Sequence, residues 1–272
     1  MIKLLDSNAF LNIFWKGMTM KWKLNIDLWD SEEYNSNIKP VLTEIITKTE
    51  ELIGGVPPCG YKPLWIVNDM YYGMRLYTPL NQDYYKLGLT VGHLTYGKVA
   101  YQFAHLLSYL YTDPRQVTWF STAIAHMASF WFLDYFAEKW IDNYPGPTFE
   151  GVYEAFSALK AEKVKTAFQN VDIMLNLASN EWIREEIQKL SQSMEYAPPV
   201  IFDLIGLELE PIFKKGESWQ LLKYIGKGTR KPVEDSKDLR TRPKAKPDFE
   251  KLYDIVPNHL KPVVETITNR IM

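Results

Sequence analysis

Cysteine is almost missing from this 272-residue chain: the one present, Cys59, allows no internal disulfide and no cysteine-rich zinc site. So lone a thiol fits a reducing compartment. Cys59 sits in the turn-like GGVPPCGYKP at 54–63 with no histidine nearby, and reads as a structural thiol rather than a nucleophile. Long apolar runs are missing too. No stretch reaches the roughly 18 residues of a membrane span, and the nearest, 119–137, is interrupted by His126 and Asp134. The N-terminal MIKLLDSNAFLNIFWKGMTMKWK has no continuous apolar core leading to a small-residue cleavage site, so it is expected to be mature sequence. Charge of one sign is also lacking. A net charge of −2 gives no global pull toward nucleic acid or an anionic membrane. A cytoplasmic protein is the expectation.

GxSxG, P-loop and GxGxxG stretches do not occur, and Gly226-Lys227-Gly228 is too short to serve as a phosphate loop. What the chain does have is aromatic side chains, 14% of residues with 17 Tyr and 9 Trp, enough for an aromatic core or cleft. Apolar residues at helical spacing after Pro40 (Val41, Leu42, Ile45, Ile46) predict a helix across 36–53, ended by GGVPPCG. Strand-like runs follow at 63–69, 73–79 and 85–91, separated by turn signals. Helices are predicted at 98–112, 117–142, 148–162, 164–178, 181–193 and 199–225, the last broken near Pro211 and Gly216. Helix, then sheet, then many helices argues for an α+β class: a small, mostly antiparallel sheet followed by a predominantly helical half. The expected domain covers 1–225, with its sheet part at about 60–95. A polar linker occupies 226–248, with eight Lys or Arg and three Pro, and a helical segment closes the chain at 249–272.

One helix carries a pattern with chemical meaning. A zinc hydrolase built on a helix places two His at i and i+4, on one face, with a Glu after the first as general base. A third ligand comes from a following helix. In YQFAHLLSYL at 101–110 those three places hold His105, Leu106 and Tyr109. One imidazole survives; an alkyl group replaces the base, and a phenol replaces the second imidazole.

The stretch YGKVAYQFAHLLSYLYTDPRQVTWFSTAIAHMASFWFLDYFAEKW, 96–140, resembles the core of gluzincin-type HExxH zinc metallopeptidases, notably bacterial ones. In that family a YQFAHELxH helix precedes a WFEEALxExAS helix. Tyr101 to His105 match that framework, as do Trp119, Phe120, Ala123 and Met127 to Ser129. KLGLTVGH at 86–93 resembles the edge strand over the family's cleft, and a weaker likeness runs on to 207–225. The resemblance implies a zincin-like fold. Carried over by position, it puts the first ligand at His105, the lost base at Leu106 and the second ligand at Tyr109. The third ligand falls on Thr122, and a neighbouring carboxylate is replaced by His126. Every acidic residue of the motif is gone. The implied reading is a catalytically inactive, metallopeptidase-like pseudoenzyme that binds a protein or peptide partner and needs no cofactor.

Two other readings stand beside it. His105, Tyr109 and His126, with His93 near them, could form a rewired metal or acid–base site of a hydrolase, with zinc as cofactor. Alternatively the likeness is accidental and the chain is a helical interaction domain. The plainer expectation for His105 and His126 is hydrogen bonding to hydroxyls such as Thr122, Ser108 or Tyr101. Asp134 and Glu138 are expected to pair with Lys139, Lys160 or solvent, Glu208 and Glu210 carry no metal spacing, and His259 is expected to be exposed. The run Phe130, Trp131, Phe132, Tyr135, Phe136 reads as core.

Overall fold

The computed structural model describes residues 21–77, 80–169, 181–192, 199–230 and 246–272. Its first element is a strand, β1 (Leu24–Asp27), followed by helix α1 (Glu32–Ile53) and strand β2 (Leu64–Asn68). Ser31 caps α1 by accepting from the Tyr34 amide, and Gly54, at φ 57°, ends it in the left-handed region that glycine tolerates. Val41, Leu42, Ile45 and Ile46, the residues whose spacing announced the helix, are all fully buried.

The sheet corrects the antiparallel expectation. β1 pairs parallel with β2 (Leu24 opposite Leu64), and β2 pairs parallel with β4 (Tyr85–Leu89), with Leu64 opposite Tyr85. Only β3 (Arg75–Leu76) is antiparallel, against β4, in the order β1-β2-β4-β3. The cause is α1: a helical crossover between β1 and β2 returns the chain in the same direction, as a hairpin cannot. A second correction concerns the strand likened to a cleft edge. β4 lies inside the sheet, and β3 is the edge.

The helical half begins with α2 (Tyr96–Tyr111) and α3 (Trp119–Lys139). Asp113, at φ 70°, turns the chain between them, and Thr118 and Ser121 form a reciprocal cap at the start of α3. α3 is apolar on every side because it is central, with α2 against it and α4 (Tyr153–Gln169) and α6 (Pro199–Phe213) packed around it. Phe130, Phe132 and Phe136 are buried there, so the aromatic run is core. α4 is one helix where two were expected, at 148–162 and 164–178; residues 170–180 lie outside the described residues.

α5 (Glu181–Gln192) precedes α6, which runs past Pro211 and stops two residues later. A 3₁₀ turn at Gly216–Leu221 leads into the short α7 (Leu222–Ile225). Most of the expected linker, 231–245, lies outside the described residues, as do 1–20. Its two ends meet: Thr229 bridges to Pro247, and the Asp248 amide donates to the Gly228 carbonyl. α8 (Phe249–Ile255) and α9 (Lys261–Ile271) then pack back on the body. Val264, Ile267 and Ile271 are buried, and Arg270 pairs with Glu208 at 2.7 Å. No described helix is long and apolar enough to cross a membrane. The architecture is α+β, a small mixed sheet with a mostly helical remainder.

Candidate functional site

α2 and α3 lie side by side, and their polar residues meet at the interface. His105 and His126 stand edge to face with ring centroids 4.7 Å apart, and the His105 and Tyr109 centroids are 5.2 Å apart. One turn along, the Tyr109 hydroxyl donates to Thr122 Oγ1 at 2.9 Å, and Thr122 donates to the Thr118 carbonyl at 3.1 Å. Four of the five positions singled out by spacing and resemblance therefore come together, the two imidazoles by ring contact and Tyr109 with Thr122 by a hydrogen bond. Leu106, the fifth, lines the same small cavity as His105 and Tyr109.

His93 does not join them: its ring packs against Tyr34 (4.8 Å) and Trp29 (5.4 Å). His259 is exposed and 3.3 Å from Gln220. Asp134 does pair with Lys160, at 2.6 Å, and Lys160 also holds the buried Glu210 at 2.7 Å. Lys139 pairs with Glu44 instead.

The residue that sequence reasoning missed is Asp203 on α6. Its Oδ1 lies 2.6 Å from His126 Nδ1 and accepts from the Tyr101 hydroxyl at 2.7 Å, while that hydroxyl is 3.0 Å from the same Nδ1. Burial acts to raise the Asp203 carboxyl, but the hydrogen bond and charge of His126, with the Tyr101 bond, outweigh it and hold the group below the usual carboxylate range. A carboxylate only accepts, so the hydrogen between Asp203 and His126 sits on Nδ1. Tyr101 was expected as a histidine partner and is one; its phenol is raised well above its ordinary value by burial and by Asp203. Gly206 makes the approach possible. A Cβ there would lie 2.8 Å from the Met127 amide nitrogen and 3.0 Å from His126 Cβ, so glycine lets α6 reach α3 closely enough for Asp203 to hold His126.

His105 is different. It is 4% exposed, and its Nδ1 has no hydrogen-bond partner among the described residues. Burial first, then His126 and Lys163, hold its pKa well below the ordinary value, so the ring is neutral. Burial pushes the Tyr109 phenol up to about 12, against the Thr122 hydrogen bond.

The donors at the carried-over ligand positions are mostly engaged with protein groups. The groups at the second and third ligand positions, Tyr109 and Thr122, are spent on each other, and Tyr109 stays protonated. Of the three carried-over ligand positions only His105 offers an imidazole, the neighbouring His126 ring is held at Nδ1 by Asp203, and Leu106 supplies no base. Among the described residues, no three His, Cys, Asp or Glu side chains are grouped to hold a metal ion.

A cavity lies beside these residues. A cavity of about 250 Å³ is lined by Met74, Arg75 and Leu76 on one side and by His105, Leu106, Tyr109, Pro114 and Val117 on the other. One wall is thus the edge strand β3 and the other is α2 with the loop after it.

No family model, curated protein or solved structure matches this chain. The site is defined by its own geometry. It offers an apolar cavity beside a strand edge, one neutral imidazole on its wall, and behind that a carboxylate-anchored histidine.

Proposed function

We propose that this chain is a degenerate, catalytically inactive metallopeptidase-like protein that binds an extended peptide or protein segment in the cleft between β3 and α2. The cavity carries the reading. Its walls are mainly apolar, no carboxylate among the described residues lines it, its imidazole is held neutral, and its one cation, Arg75, has its guanidinium packed over the Tyr72 and Tyr77 rings, so it suits an uncharged side chain. Among the described residues β3 has a strand neighbour on one side only, which leaves backbone groups for an added strand. Met70, Tyr71 and Tyr72, exposed just before β3, give an apolar rim, and the Arg75 guanidinium packs over Tyr72 at 4.9 Å. Burying one Leu- or Phe-sized side chain contributes about 1.5–3 kcal/mol. Strand pairing must supply the rest, so a weak, regulatory or scaffolding interaction is the fitting class.

The test is selection from a displayed library of random short peptides, on the wild type and on Val117→Trp, which fills the cavity. Peptides with a central apolar residue should be enriched on the wild type and lost on the variant. Equal enrichment on both would refute the cleft as the binding site. Metal content of chelator-free protein is measured in parallel; stoichiometric metal that disappears in His105→Ala would overturn the inactive reading.

One observation favours the second reading, an acid–base hydrolase using His105, Tyr109 and His126. Asp203 orients His126 as a carboxylate orients a general base. That reading requires turnover of a fluorogenic peptide or ester library that disappears in His126→Gln.

A further inference from the structure

On the other side of the α2–α3 loop, two adjoining cavities of about 480 Å³ and about 440 Å³ share Gln116, Tyr224, Gly226 and Lys227. Gly226 builds their common floor. A Cβ there would lie 2.4 Å from Asp113 Cβ and 2.7 Å from the Thr112 carbonyl oxygen, so only glycine lets the end of α7 lie on the loop.

The charge of these walls is lopsided. They carry four cationic side chains, Arg115, Lys223, Lys227 and Lys251, against the one carboxylate of Asp113, in a chain whose net charge is −2. Asp113 is already engaged, 2.8 Å from Arg115. The three lysines have no carboxylate within ion-pair distance among the described residues. Lys223 donates to the Gly54 carbonyl and Lys251 to the Thr229 carbonyl, while Lys227 lies over the Tyr224 ring at 5.7 Å. Burial lowers the pKa of Lys223, a sign that its ammonium has lost water without gaining an anion.

Concave shape and an excess of cationic over acidic side chains among the described residues coincide here, which is how proteins focus a field on a small anion. Lys227 lines both lobes, with Lys251 beyond it in one and Lys223 and Arg115 in the other. We infer that this basin binds a small soluble anion carrying two linked phosphate groups, one in each lobe with Lys227 between them. The inference is independent of the peptide reading, since the cleft residues take no part in it.

The experiment is calorimetric titration of the full chain with inorganic pyrophosphate, with orthophosphate and sulfate as comparators at constant ionic strength. Lys227 and Lys251 are both exposed, so Lys227→Ala/Lys251→Ala should keep the fold, which circular dichroism checks. Pyrophosphate should bind at least tenfold more tightly than orthophosphate or sulfate. The double alanine variant should lose at least tenfold in affinity, and Lys227→Arg/Lys251→Arg should retain binding. Absence of pyrophosphate binding, an affinity matched by sulfate, or an alanine variant that binds as the wild type does would each overturn the assignment.

Discussion

Replacing Asp203 by alanine removes the acceptor that holds α2, α3 and α6 together at one point. The lost interactions are the contacts from His126 Nδ1 at 2.6 Å and the Tyr101 hydroxyl at 2.7 Å, both to a buried carboxylate. Hydrogen bonds to a charged group contribute about 1.5–3 kcal/mol each, so the gross loss is about 3–6 kcal/mol. Part of it returns. With the carboxylate gone, the Tyr101 hydroxyl, already 3.0 Å from Nδ1, can donate to that nitrogen once the ring changes tautomer. A neutral bond of this kind restores about 1 kcal/mol. The expected net cost is therefore about 2–5 kcal/mol, read at pH 7 as a fall in the urea midpoint at unchanged slope. A double-mutant cycle with His126→Ala should give a coupling above about 1 kcal/mol. A cost below about 0.5 kcal/mol, or an additive cycle, would show that the three groups do not act as a unit and would refute the reasoning.

Other perturbations test neighbouring parts of the same argument. His105 has a folded-state pKa held well below its ordinary value, chiefly by burial. Its contribution to stability is fully present above the unfolded value of about 6.5 and is lost as pH falls from there toward the folded value. A His105→Phe variant should flatten that part of the stability–pH curve, and an unchanged slope would mean that His105 accepts a proton in the fold. Gly206→Ala places a Cβ 2.8 Å from the Met127 amide nitrogen, so it should cost about 1–3 kcal/mol by thermal melting, and Gly206→Ser should do no better. Lys160→Met leaves Glu210 buried without its cation and should cost about 3–5 kcal/mol, much of it recovered in Lys160→Met/Glu210→Leu. Equal melting temperatures for the single and double variants would contradict that account.

Legibility in the sequence followed periodicity. α2 and α3 were readable because their apolar residues repeat at helical spacing and a DP pair separates them, and α1 because its buried positions recur after Pro40. The parallel sheet was not readable, because β1 is only four residues, LNID, with alternate residues half-buried, and without it the βαβ unit disappears. Two predicted helices merged into α4 because no residue there forces a break. At the site, His105 and Tyr109 were singled out by their i, i+4 spacing on one helix, and Thr122 and His126 on the next helix by the positions that the resemblance implied. Asp203 was not, since it comes 77 residues after His126 on another helix and its pairing depends on tertiary contact alone. A signal was there: one acid in the apolar run PVIFDLIGL must find a partner when buried. The lysine basin likewise joins residues of the α2–α3 loop to others more than a hundred positions later, and only folding brings them to one surface.

The loop between α2 and α3 has two faces that different residues share out. Pro114 and Val117 line the cleft cavity, while Asp113, Arg115 and Gln116 line the lysine basin. The loop thus contributes residues to both sets of walls, with Asp113 in a left-handed conformation at its start. With both proposed ligands bound, any shift of this loop that one of them favoured would change the affinity for the other by the same factor in both directions.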